Sequence, residues 1–145
     1  MFKVVLDTNI LISGFISPRS HPAKIIDFWQ EEKFILIVSR MILEEVKKVF
    51  CYPKISKTYR LDEEKINEYL NGLLTFSEIC EPTKRLAVIK TDPADDKFIE
   101  TAIVGEANFI VTGDHLLLVM REYERIRIIT AKEFCEIMKN QRKNE

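Results

Sequence analysis

Residues 1–15 read MFKVVLDTNILISGF, and the fold turns on how Asp7 follows the apolar run before it. Phe2, Val4, Val5 and Leu6 have the apolar, β-branched density of a strand buried on both faces. An acid directly after such a strand stands where the chain leaves a core. It needs a helix amide, a cation or a proton to offset its burial.

Similar runs recur at 34–38 (FILIV), 86–89 (LAVI), 109–111 (FIV) and 126–129 (IRII). Helical patterns lie between most of them, most clearly at 22–32, 40–50, 62–76, 93–106 and 131–140. The alternation predicts an α/β fold, a three-layer α/β/α sandwich whose central parallel sheet has four or five strands. The 145 residues, 46% hydrophobic and free of repeats or linker-like tracts, predict a single domain spanning 1–145.

The charge balance, 22 Lys and Arg against 23 Asp and Glu, excludes a globally basic nucleic-acid binder and confines any such contact to local patches. Cys51, Cys80 and Cys135 are far apart and odd in number, which argues against a disulfide framework. With no leader-like start and no apolar run of membrane-spanning length, the expectation is a soluble, cytoplasmic protein with no membrane partner.

In an open sheet of this kind, polar groups at the carboxyl ends of the strands converge at the topological switch point. Asp7, Thr8 and Asn9 follow the first run, and Ser39 with the pair Glu44/Glu45 follows the second. KTDPADDKF follows the third, and TGD, ending in Asp114, follows the fourth. Several of these acids also have plain structural readings. Asp92 is a helix N-cap ahead of Pro93, with Asp95 at the third helical position as in a capping box. Asp7 and Asp114 can each cap the helix that follows. Asp96 heads the stripe continued by Ile99 and Ile103, where a carboxylate is costly unless paired, protonated or bound to a cation. Glu44 has Lys47 and Lys48 at i+3 and i+4, the pattern of a solvated face, whereas Glu45 falls between Ile42 and Val49 on the apolar side.

Asp7, Glu45, Asp96 and Asp114 are therefore the acids expected to converge. Carboxylates gathered within ~4 Å repel by several kcal/mol, so such a cluster calls for a cation or shifted pKa values. Oxygen donors without Cys or His select Mg²⁺ or Mn²⁺ rather than Zn²⁺. Those ions suit two-metal-type phosphodiester hydrolysis, in which bound water is activated and the leaving oxygen is stabilised.

The ordered set Asp7-Thr8-Asn9, S-x5-E from Ser39 to Glu45, Asp96, and Thr112-Gly113-Asp114 closely resembles the PIN-domain ribonuclease family over nearly the whole chain. The long form DPADDKFIETAIVGEANFIVTGD looks most like the VapC-like toxin branch of toxin–antitoxin pairs. The resemblance implies a PIN-like fold and an endoribonuclease that cleaves RNA with Mg²⁺ or Mn²⁺. It places Asp7, Glu45, Asp96 and Asp114 at the catalytic, metal-binding acid positions, with Asn9 and Thr112 in support. Thr8 and Ser39 join these as supporting polar residues, and Asp92 and Asp95 match acids common in that branch, which keeps a metal-adjacent role beside capping. An antitoxin partner and a homodimer are further implications.

For single-stranded or loop RNA, Lys54, Lys57 and Arg60 alternate with Tyr52 and Tyr59 in CYPKISKTYR, as phosphate contacts and stacking platforms do. A solvated connector is the competing reading of that stretch. Two alternatives to the nuclease stay open at this level: a non-catalytic RNA- or partner-binding domain, and a receiver-like phosphoacceptor domain.

Overall fold

The computed structural model describes residues 1–82 and 96–143. Four parallel strands form where the apolar runs predicted them: β1 (Lys3–Leu6), β2 (Ile35–Val38), β4 (Phe109–Val111) and β6 (Ile126–Ile129). Two further strands, β3 (Glu78–Ile79) and β5 (Glu122–Tyr123), extend the edges, β3 parallel to β2 and β5 antiparallel to β6. The expected parallel sheet of four or five strands is borne out by the five parallel strands β3-β2-β1-β4-β6, and antiparallel β5 adds a sixth strand at the β6 edge among the described residues. The run at 86–89 falls outside the described residues.

The helices are α1 (Thr8–Ile16), α2 (His21–Gln30), α3 (Arg40–Phe50), α4 (Pro53–Ser56), α5 (Glu63–Phe76), α6 (Asp96–Val104), α7 (His115–Leu118) and α8 (Ala131–Lys143). Their starts are chemically legible. Asp7, Ser20, Ser39, Asp62 and Asp114 each turn a side-chain oxygen back to an amide of the first turn, satisfying donors that helix geometry leaves open. Pro22 follows in the first turn of α2, where its missing N–H costs nothing. The stretch read as a connector at 51–60 contains the single turn α4, opened by Pro53.

Val4, Val5, Leu6, Leu36, Ile37, Val38, Ile110 and Val111 are buried, as central parallel strands require. Phe15, Phe50 and Tyr69 pack edge to face or tilted, and the Tyr69 hydroxyl donates to the Leu11 carbonyl at 2.7 Å, tying α5 to α1. Phe34 and Phe109 pack against Phe134 of α8. At the end of α6, Gly105 lets the helix approach β2 closely: a Cβ there would stand 2.8 Å from Ile37 Cγ2 and 2.9 Å from its Cδ1. Ile37 is fully buried and cannot move cheaply. Gly105→Ala should therefore destabilise the fold by about 1–3 kcal/mol, measured by urea unfolding at constant m-value. An unchanged midpoint would mean that α6 does not rest on β2 as described.

Candidate active site

The chain runs outward from β1 through β2 to β3, then returns to the other side of β1 with β4. The switch point therefore lies between β1 and β4, whose carboxyl ends carry Asp7 and Thr112. The two residues meet there. Thr112 Oγ1 donates a short hydrogen bond to Asp7 Oδ2, while Asp7 Oδ1 accepts from the Ile10 amide at 2.8 Å. The same Thr112 hydroxyl accepts from the Asp114 amide at 2.9 Å, and Asp114 Oδ1 in turn accepts from Leu116 N at 2.8 Å. Asp7, Thr112 and Asp114 are thus one connected group at the sheet edge, and both acids do act as helix caps.

Asp7 is only 4% exposed. Burial pushes its carboxyl above the ordinary 3.8; hydrogen bonds from Thr112, Ile10 and Gly113 oppose the rise, and the neighbouring Asp114 charge adds to it. No ion pair reaches Asp7 or Asp114 among the described residues.

A second group forms between α3 and α6. Ser39, fully buried, caps α3 through Ile42 N and sets the helix phase. That phase leaves Glu44 exposed and turns Glu45 inward, half-buried, to an ion pair with Lys97 of α6. Glu44 makes no ion pair with Lys47 or Lys48, so the solvated face expected there lacks its salt bridges. Asp96, at the start of α6, is 2% exposed and leads into fully buried Ile99. Lys97 was not foreseen; it is 9% exposed, and its ammonium also lies 5.0 Å from the Phe98 ring centroid. Only its position beside Asp96 hinted at the site, because a Lys at the head of a helix reads as surface.

Thr8 is buried and its hydroxyl has no hydrogen-bond partner among the described residues, whereas Asn9 is exposed. Asp92 and Asp95 lie outside the described residues. Lys54, Lys57, Tyr59 and Arg60 are exposed on and after α4, which packs beside α3. They make no hydrogen bond or ion pair with the acids, and no three His, Cys, Asp or Glu side chains among the described residues close into a ready metal cage. The donor set nonetheless fits a hard divalent ion, since it consists of carboxylate and hydroxyl oxygens around a buried acid that has no ion pair among the described residues.

A family model described as PIN domain matches residues 3–116. The chain belongs to the PIN-domain family. It is 35% identical over 142 residues to an uncharacterised protein of Methanocaldococcus jannaschii, MJ1680, covering 92% of this chain and 90% of the relative. Among solved structures it superposes on PAE2754 from Pyrobaculum aerophilum with a TM-score of 0.65 at 16% identity, covering 96% of this chain and 90% of the other. It also superposes on VapBC2 from Rickettsia felis bound to a DNA fragment from its promoter, at 0.58 and 15% identity, covering 88% and 98%. PIN domains are generally nucleases that use divalent metals, so membership supports a hydrolase acting on nucleic acids. Among the described residues no helix is long and apolar enough to cross a membrane.

The Asp7 shift fixes the sign of a stability test. A carboxyl whose pKa is raised on folding favours the folded state below its unfolded pKa and loses that contribution as pH rises through the folded value. Asn keeps the acceptor that caps α1 but not the charge. In chelator near neutral pH, Asp7→Asn should melt at the same or a higher temperature than wild type, and the difference should close as pH falls toward 3.8. A variant markedly less stable than wild type at neutral pH would mean that the carboxylate charge serves the fold.

Proposed function

We propose that this protein is a Mg²⁺- or Mn²⁺-dependent endoribonuclease acting on single-stranded or loop RNA, the toxin of a toxin–antitoxin pair, working in the cytoplasm as a homodimer. The observation that carries this reading is the Asp7–Thr112 hydrogen bond across the switch point, which spends a hydroxyl donor on holding a buried acid. Family membership adds the nuclease chemistry, and the likeness in fold to VapBC2 motivates the antitoxin partner.

Asp7, Asp114, Glu45 and Asp96 would hold the metal, with Asp92 and Asp95, which precede Asp96 in the sequence, as further candidate acids. A bound divalent ion would lower the pKa of the attacking water and offset charge on the scissile phosphate. Thr112 orients Asp7 by donating to one carboxylate oxygen, while the Ile10 amide fixes the other. Ser39 sets the phase of α3 and so aims Glu45 inward. Thr8 and Asn9 supply polar groups beside Asp7. Lys54, Lys57 and Arg60 would take RNA phosphates, with Tyr59 stacking on an unpaired base.

Purified protein should cleave unstructured RNA only with Mg²⁺ or Mn²⁺ and lose activity in chelator. Asp7→Asn, Asp96→Asn and Glu45→Gln should each lower the rate by about two orders of magnitude or more, while Glu44→Gln should leave it within about twofold of wild type. Metal-independent cleavage, or intact activity in Asp7→Asn prepared free of contaminating nuclease, would overturn the assignment. A larger loss in Glu44→Gln than in Glu45→Gln would overturn the phase of α3.

A further inference from the structure

The candidate acids divide by what neutralises them. Asp7 and Asp114 form one hydrogen-bonded group with no ion pair among the described residues. Glu45 already has a cation, the Lys97 ammonium, whose side chain is 10% exposed. Burying an ammonium is expensive, and ion pairing often repays the desolvation poorly compared with an apolar residue of similar volume. Lys97 also follows buried Asp96 directly and is itself buried, so its charge is held against Glu45 and not on a solvated helix face. A Met or Leu would fill that space more cheaply if only packing were required.

We infer that Lys97 is a built-in counter-cation: by pairing with Glu45 it positions that carboxylate and takes the place of a second divalent ion, so that the site binds one ion per chain. The inference rests on the metal-dependent reading of the same site and refines the two-metal expectation. Lys97 acts through Glu45 and is a positioning residue. Its pairing uses Glu45 Oε2, which keeps the acid in place and leaves Oε1 for the one ion that the site would hold. The ammonium also sets a positive potential beside Glu45 that opposes a second ion at that carboxylate, because like unit charges about 4 Å apart repel by several times the thermal energy at an effective dielectric near 20.

The test counts ions without RNA. Mn²⁺ titrations of wild-type protein, followed by calorimetry and by loss of free-Mn²⁺ electron paramagnetic resonance signal, should saturate at one ion per chain. Lys97→Met should either bind a second ion or tighten Mn²⁺ binding by about tenfold or more, since a nearby positive charge has been removed. Lys97→Arg should behave as wild type, and the double variant Lys97→Met/Glu45→Gln should again take up one ion. Thermal melts keep the inference falsifiable if Lys97→Met folds poorly. In chelator that variant should melt below wild type and recover on adding Mn²⁺, whereas the double variant should recover much less. Two ions in wild type, or unchanged stoichiometry and affinity in Lys97→Met, would overturn the role of Lys97 while leaving metal-dependent cleavage standing. Failure of wild type to bind any Mn²⁺ would overturn both.

Discussion

A carboxylate enclosed between the ends of two parallel strands, with a threonine hydroxyl on one oxygen and a helix amide on the other, organises this molecule. The sheet order places β1 and β4 side by side with their successors leaving in opposite directions, so a gap opens at their carboxyl ends. Asp7 fills it. The Asp7 amide donates to the Val111 carbonyl at 3.1 Å, continuing the β1–β4 ladder one residue past the strand. The side chain then turns to start α1. One residue thus ends a strand, begins a helix and carries a charge that burial disfavours. The first two tasks could be met by Asn or Ser; the third is what a divalent ion would relieve.

The rest of the site is arranged around that gap by ordinary means. Ser39 at the end of β2 does for α3 what Asp7 does for α1, and the resulting phase distinguishes Glu45 from Glu44. α6 crosses close over β2 because Gly105 lacks a side chain, which brings the start of the helix, Asp96 and Lys97, toward α3. Packing constraints far from the acids therefore fix where the acids stand. Metal affinity in such a site depends on backbone positions as much as on the carboxylates themselves.

Much of this was legible because it follows from short-range chemistry. The four long parallel strands are dense β-branched runs, and the helix starts carry Asp or Ser where capping demands them. The inward turn of Glu45 followed from its place between Ile42 and Val49. Two features were not legible. The edge strands β3 and β5 are two residues long, Glu78–Ile79 and Glu122–Tyr123, too short for any alternation to register. Lys97 gave no signal beyond its place beside Asp96, because it pairs with Glu45, 52 residues earlier in the chain and on another helix. Periodicity reports which face of a helix is apolar; it does not report which ion pair the tertiary fold closes.

The account stands on the Asp7 carboxyl being strained by burial and relieved by a cation. Carbon-13 NMR of the labelled Asp7 carboxyl, titrated with pH in chelator and again with Mg²⁺, measures this at the atom concerned. The midpoint should lie above 3.8 in chelator and move down as Mg²⁺ is added, because a cation favours the charged form. An ordinary midpoint that ignores Mg²⁺ would contradict the account and leave Asp7 as a helix cap alone.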